Sequence, residues 1–313
     1  MGYGLYDFAE NLGFAIGPLL SGLVYDTIGK EAPFHLNGVI LIVSAVWAFF
    51  FLRQSPPQKT GITSQGRQHP CNIKERTMKT IGLIGGMSWE SSLEYYRIIN
   101  QTTKAKLGGL HSAKSVMVSV DFAEMEILQH QGKWPEAARM LVDAAQKLES
   151  GGADFIVLCT NTMHKVADDI QAQAGIPFLH IADATAQQVK KAGIQKIGLL
   201  GTRFTMEEDF YKGRLSQKYG LDVIIPGAHE REIVHRVIYD ELVVGDIRRE
   251  SKQQYLDIIQ GLVKEGAEGV ILGCTEIGLL VHDEDCQSPL FDTTRIHAVS
   301  AVEYALAMTQ PDP

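Results

Sequence analysis

The sequence predicts an α/β protein of two similar, doubly wound parallel-sheet lobes related by internal pseudo-symmetry, preceded by a transmembrane helical hairpin. From Met78 onward, short apolar runs alternate with amphipathic stretches. That is the pattern of parallel strands covered by helices on both faces. A stretch opening Ile81-Gly82-Leu83-Ile84-Gly85-Gly86 and closing Phe155-Ile156-Val157-Leu158-Cys159-Thr160-Asn161-Thr162 reads again as Ile197-Gly198-Leu199-Leu200-Gly201-Thr202 and Val270-Ile271-Leu272-Gly273-Cys274-Thr275-Glu276. The offset is about 115 residues at both ends, which marks a duplicated unit. The first 52 residues hold long uncharged runs that fit neither copy.

Within those 52 residues, 12–25 carry no charge and space Gly13, Gly17 and Ser21 four apart, which lets membrane helices pack closely. Residues 32–52 are also uncharged and reach the roughly 20 residues a bilayer span requires. The first run reaches that length only if Glu10 or Asp26 lies near the interface; residues 26–33 are the turn. Arg53, Lys59, Arg67, Lys74 and Arg76 follow, which puts the segment after Leu52 in the cytoplasm. The hairpin resembles the last two helices of a major facilitator superfamily transporter, but most of a transporter's bundle is missing. Residues 53–77 read as a polar linker. Either a transporter fragment is fused to an enzyme, or Met78 is the true start; an accidental or vestigial fusion is the favoured expectation. The domain from Met78 is then expected in the cytoplasm. Association with the inner membrane would run through 1–52.

The 313 residues suffice for about two domains. Hydrophobic content of 45% and charge of 21% fit globular cores. A net charge of −8 argues against a nucleic-acid partner. Cys71, Cys159, Cys274 and Cys286 form no zinc-type pairs, and the histidines are scattered. No secretory signal is visible, so free thiols are expected rather than disulfides. The Gly85-Gly86 turn lacks the Lys of a phosphate loop and the spacing of a dinucleotide fingerprint. Neither a metal nor a cofactor is expected.

The predicted strands, in order, are 80–84, 116–120, 155–159, 178–181, 197–200, 223–225, 270–272 and 290–291. The predicted helices are 90–106, 135–149, 165–174, 182–191, 206–218, 230–242, 248–264 and 296–307. Pro135 suits a first helical turn and Gly151 a helix stop. The first lobe is expected to span 78–182 and to be completed by 289–313; the second spans 183–288. Ligands bind at the carboxyl ends of such strands, so the turns at Gly85-Gly86-Met87-Ser88, Thr160-Asn161-Thr162, Gly201-Thr202 and Cys274-Thr275-Glu276 are expected to converge on one cleft.

Gly85-Gly86-Met87-Ser88-Trp89-Glu90-Ser91-Ser92, Asn161-Thr162-Met163-His164 and Gly273-Cys274-Thr275-Glu276, in that order, together resemble the aspartate/glutamate racemase family over essentially all of 78–313. The resemblance implies racemisation of an acidic amino acid, aspartate and/or glutamate, without pyridoxal phosphate. It also implies a homodimer and two cysteines, one per lobe, working on opposite faces of the α-carbon. Inverting a stereocentre needs a base on one face and an acid on the other. Thiols suit both roles, their reference pKa of about 8.5 being lowered by a nearby cation or helix N-terminus.

One position departs from the family's pattern. Cys-Asn-Thr-x-His is replaced by Thr160-Asn161-Thr162-Met163-His164, and Cys159 stands one place early. Adjacent residues at a strand end point to opposite sides, so Thr160 is expected to face the cleft and Cys159 to be a buried structural thiol. Cys274 is then the principal base, with Thr160 or a water it holds serving the other face, and the two directions are kinetically unequal. Cys274 is assigned the L-enantiomer.

Asn161, Thr162 and Thr275 suit a substrate carboxylate, and equally suit helix caps. Met87 and Ser88 follow the first strand beside the expected substrate; Met87 is alternatively a core residue. Glu276 is placed to accept from the substrate ammonium, or to sit in a first helical turn. His164 either orients the active turn or packs, with packing favoured. Gln129, in a polar loop, is placed to reach a distal carboxylate, and Arg248 is the candidate cation by position. The alternatives are another cysteine-dependent member of the superfamily, a hydantoin racemase or a decarboxylase, or a vestigial membrane-anchored binding protein.

Overall fold

Two four-stranded sheets repeat one strand order. In the first, β1 (Ile81–Gly85), β2 (Ser115–Ser119), β3 (Phe155–Leu158) and β4 (Phe178–Leu179) lie as β2-β1-β3-β4. In the second, β5 (Lys196–Gly201), β6 (Asp222–Ile224), β7 (Val270–Gly273) and β8 (Leu290–Asp292) lie as β6-β5-β7-β8. Every pairing is parallel. This computed structural model describes residues 78–307, all within one compact unit. The expected hairpin 1–52, the linker 53–77 and residues 308–313 lie outside the described residues. Among the described residues no helix is long and apolar enough to cross a membrane.

The helices are α1 (Trp89–Leu107), α2 (Phe122–His130), α3 (Trp134–Ser150), α4 (Ala167–Gln173), α5 (Ile181–Lys191), α6 (Arg203–Glu207), α7 (Asp209–Tyr219), α8 (Ala228–Asp240), α9 (Arg249–Lys264), α10 (Ile277–Leu280) and α11 (Thr293–Ala307). The single helix expected over 206–218 is two, because the chain is extended at Glu208. Helix α2 stands where the sequence pattern predicts none. Asp121 starts it by accepting from the Ala123 N–H, a side-chain cap that satisfies an otherwise orphaned donor. The return to the first lobe does not begin at residue 289 as expected. Instead β8 pairs with β7 in the second sheet, and the return begins with α11, whose His297 meets Tyr95 of α1.

Strand alternation sorts the side chains onto two faces per sheet. In the first lobe, Ile156 and Leu158 pack with α3 through Leu141, Ala145 and Leu148. Phe155, Val157 and Cys159 pack on the other face with Tyr95 and Ile99 of α1 and Ala298 and Val302 of α11. In the second lobe, Val270, Leu272 and Cys274 share a cluster with Val237 of α8 and Tyr255 of α9, while Ile271 faces α5 and α7. Ile84 pairs with Leu158 and Leu200 pairs with Leu272. Two residues beyond these equivalent pairings stand Thr160 and Cys274, so the register makes them counterparts.

Candidate active site

The first and third strands of each sheet are neighbours, and their carboxyl ends form the switch point where the sheet's winding reverses. Four turns leave these ends: Met87-Ser88 after β1, Thr160-Asn161-Thr162 after β3, Thr202 after β5 and Cys274-Thr275-Glu276 after β7. The turn after β1 depends on Gly86, whose φ is +95°; a Cβ there would sit 2.1 Å from the Val120 carbonyl oxygen. Only glycine fits both restrictions.

Hydrogen bonds tie the two lobes together across the seam. Ser88 Oγ donates to Glu276 Oε1 at 2.9 Å. Thr162 Oγ1 lies 2.9 Å from Thr202 Oγ1, which is 3.2 Å from Thr205 Oγ1. Since Thr162 is the counterpart of Glu276, these are pseudo-equivalent bonds, one in each direction. A third link runs from Asn161 Nδ2 to Thr293 Oγ1 at 3.0 Å, and from that hydroxyl to the Leu272 carbonyl at 2.8 Å. The hydroxyl hydrogen is committed to Leu272, so Thr293 accepts from the Asn161 amide nitrogen. This fixes the amide's orientation and leaves Asn161 Oδ1 buried without a partner among the described residues, an acceptor free for a ligand.

Glu276 is the centre of the seam, only 2% exposed. Its Oε2 accepts from Cys274 Sγ at 2.9 Å and from Thr275 Oγ1 at 2.8 Å. Cys274 is 8% and Thr160 7% exposed. Burial pushes the Cys274 thiol well above its ordinary pKa, and the charge and hydrogen bond of Glu276 push further; the backbone N–H groups of Glu276 and Thr275 act the other way. The expectation of a lowered pKa is thereby corrected. The resting group is a thiol that donates to a carboxylate, because that carboxylate is its nearest charge.

Cys159 is fully buried among the helices of the first lobe, where burial raises its thiol pKa strongly. In the second lobe Gly273 takes its place, and a Cβ there would meet the Leu200 carbonyl oxygen at 2.7 Å. His164 fixes the Thr160 turn. The Ile181 N–H donates to Nε2 at 3.1 Å, so Nδ1 carries the proton and donates to the Thr160 carbonyl at 2.7 Å. His180 and His297 pack near it, at ring-centroid distances of 4.5 and 6.0 Å. All three are held neutral, chiefly by burial. Among the described residues no cluster of His, Cys, Asp or Glu is arranged to hold a metal ion.

Met87 is buried in the first-lobe core with Met125 and Met163. Gln129 is buried near the end of α2; it accepts from Tyr239 of the second lobe at 3.1 Å and donates to Met163 Sδ at 3.0 Å. Arg248 is not brought to the seam. It is half exposed and pairs with Asp246 at 2.6 Å and Glu241 at 3.4 Å. Thr202 stands in one of the turns that the sequence pattern sends to the cleft; Thr293, and Tyr239 of α8, which meets Gln129 across the lobes, are not singled out by that pattern.

Residues 84–301 match the Asp/Glu/Hydantoin racemase family, and residues 1–114 match the Major Facilitator Superfamily. A putative Asp/Glu racemase from Yersinia pestis, known as a crystal structure, is 58% identical with a TM-score of 0.69, covering 73% of this chain and 100% of its own. An aspartate racemase homologue from Pyrococcus horikoshii OT3 is 36% identical with a TM-score of 0.64, covering 73% and 99%. The broad specificity amino-acid racemase RacX of Bacillus subtilis is 26% identical over 179 residues, which is 55% of this chain and 74% of that protein. The chain belongs to the Asp/Glu/hydantoin racemase family, whose members are isomerases that work without pyridoxal phosphate.

Proposed function

We propose that this family member racemises an acidic amino acid, aspartate and/or glutamate, with Cys274 on one face of the α-carbon and Thr160 on the other. The carrying observation is the Cys274 to Glu276 hydrogen bond at a seam where the first lobe presents a threonine. Glu276 takes the thiol proton and leaves a thiolate, which the backbone N–H groups of Thr275 and Glu276 stabilise. The thiolate removes the α-hydrogen: the Cα–H bond breaks, an S–H bond forms, and the electron pair moves into the substrate carboxylate. Backbone N–H groups at the strand-end turns meet that developing charge. The opposite face regains a proton from the Thr160 hydroxyl or a water it holds, in a turn braced by His164; solvent then returns a proton to that group and takes the one held by Glu276, which closes the cycle.

Asn161 Oδ1 is the acceptor for the substrate ammonium, since no other group among the described residues satisfies it. Thr162 and Thr275 frame the α-carboxylate. Ser88 and Glu276 hold the lobes at the spacing the reaction needs, with Met87 packing behind the Ser88 turn. Gln129 is the donor for the distal carboxylate; Arg248, paired with Asp246 and Glu241, contributes charge from outside the seam. A thiol serves one face and a hydroxyl the other, so the directions are unequal, with the L-enantiomer assigned to Cys274. The single active thiol also suits a decarboxylase or hydantoin racemase of the same superfamily. A homodimer, and membrane association through 1–52 with the lobes in the cytoplasm, complete the proposal; the transporter-family match to 1–114 supports its membrane part.

The test is an enantiomer-resolved assay of the full chain over acidic and neutral amino acids, hydantoins and release of carbon dioxide, with no cofactor added. Interconversion of D- and L-aspartate or glutamate supports the proposal. Turnover of hydantoins alone, or carbon dioxide release without racemisation, replaces it with the alternative.

A further inference from the structure

We propose that Tyr239 selects the substrate, forming with Gln129 a cross-lobe bar whose two donors grip the side-chain carboxylate of an acidic amino acid. The inference rests on the racemase reading and names a residue that reading does not use. Tyr239 lies on α8 and packs against the second-lobe cluster that contains Cys274. Burial, and after it the neighbouring Cys274, Glu126 of α2 and Glu276, raise the pKa of its phenol, so the hydroxyl keeps its hydrogen to donate. Its hydroxyl donates to Gln129 Oε1 at 3.1 Å, joining residues 110 positions apart. Two other rings meet it: His130 of the first lobe edge-on at 5.5 Å, and His235 of its own helix, tilted, at 4.8 Å.

The other end of the Gln129 amide is poorly used. Gln129 is 4% exposed, yet among the described residues its Nε2 donates only to the thioether sulfur of Met163. A thioether is a weak acceptor, and buried amides normally find better ones. A carboxylate arriving beside this pair offers the acceptor that is missing. It takes the phenol O–H from Gln129 Oε1 and the amide N–H from sulfur. One ordinary and one weak hydrogen bond are thus replaced by two charge-assisted ones, which are roughly twice as strong as neutral bonds. A substrate without that carboxylate leaves the bar closed on itself. Acid selectivity is thereby achieved with neutral donors, and Arg248 remains bound to Asp246 and Glu241 outside the seam.

The experiment uses the full chain and the variant Tyr239→Phe, which keeps the ring and removes only the hydroxyl. KM and kcat are measured separately for L-aspartate, L-glutamate and L-alanine. Thermal shift with succinate, a dicarboxylate that cannot racemise, is recorded in parallel. Expected are a KM for the acidic substrates raised about tenfold or more, a kcat within about threefold of wild type, unchanged values for alanine and loss of the succinate shift. Gln129→Met is expected to act in the same direction. If the wild type racemises acidic amino acids but both variants keep its KM and its succinate shift, the role of Tyr239 is refuted and the racemase reading stands. If the wild type racemises only neutral amino acids, both fall together.

Discussion

Cys274 donates its thiol hydrogen to Glu276 Oε2 at 2.9 Å, and the counterpart of that pair in the first lobe is Thr160 with Thr162. The two copies thus keep one geometry and differ in chemistry. One side has an ionisable thiol beside a carboxylate; the other has two hydroxyls. Both second partners reach across the seam, Glu276 to Ser88 and Thr162 to Thr202. The lobes are therefore joined through the residues that flank the reacting positions.

Replacing Glu276 by Gln removes the charge that holds the Cys274 proton. Glu276 raises the thiol pKa both by charge and by accepting its hydrogen bond, so in Glu276→Gln that pKa falls. Ultraviolet titration of thiolate, read as the difference from the matching Cys274→Ala variants, follows it. Activity falls by roughly 10²-fold, the usual worth of a proton acceptor. An unchanged or higher thiol pKa contradicts the assignment.

Neighbouring residues 159 and 160 part sharply when each is changed to alanine. Cys159→Ala leaves turnover near wild type and costs about 1 kcal/mol of stability, the scale for deleting a small buried group. Thr160→Ala leaves stability nearly intact and slows proton return to one face. Denaturant melts and racemisation rates on both variants separate the roles.

Ser88→Ala removes one of the donors to a buried carboxylate. A hydrogen bond to a charged group contributes about 2 kcal/mol, and the loss is expected in a thermal melt. Turnover declines as well, since the Glu276 oxygen facing the first lobe loses its closest partner. Ser88→Thr, which keeps a hydroxyl, is expected to recover part of both.

Acid destabilises the fold through its buried imidazoles. Burial holds the folded pKa of His180 at about 3 and of His297 at about 4, from 6.5. Below pH 6.5 the unfolded chain takes up protons that the folded chain refuses. Stability is full above pH 6.5 and is lost as pH falls toward those values. Between pH 6.5 and 5 each histidine accounts for about 2 kcal/mol, and the two together for a fall in melting temperature of roughly 10 °C. His180→Asn keeps a side-chain acceptor for the Ala182 N–H and flattens this slope. A slope as steep in the variant as in the wild type contradicts a histidine origin.

The strands were legible because parallel strands buried on both faces must be written as continuous apolar runs; β3 and β7 are examples. The repeat also placed Thr160 opposite Cys274, and the strand register agrees. Helix α2 was not legible because nine residues with only Met125 and Gln129 fully buried show little apolar periodicity. Its signal was the cap at Asp121. Arg248 was a candidate by position alone, although an aspartate two residues away is its partner. The Ser88–Glu276 and Tyr239–Gln129 bonds join residues 188 and 110 positions apart. Distances of that kind are set by how the lobes pack, which no local pattern states.

The most direct measurement is loss of the α-hydrogen from pure L- and pure D-aspartate or glutamate in deuterium oxide, comparing wild type, Thr160→Ala and Cys274→Ala without added cofactor. The wild type is expected to exchange the L-enantiomer faster than the D-enantiomer, and Cys274→Ala to lose exchange from L by about 10³-fold. Exchange from both enantiomers that is equal and fast, and that survives removal of the hydroxyl at 160 or the sulfur at 274, would contradict the mechanism.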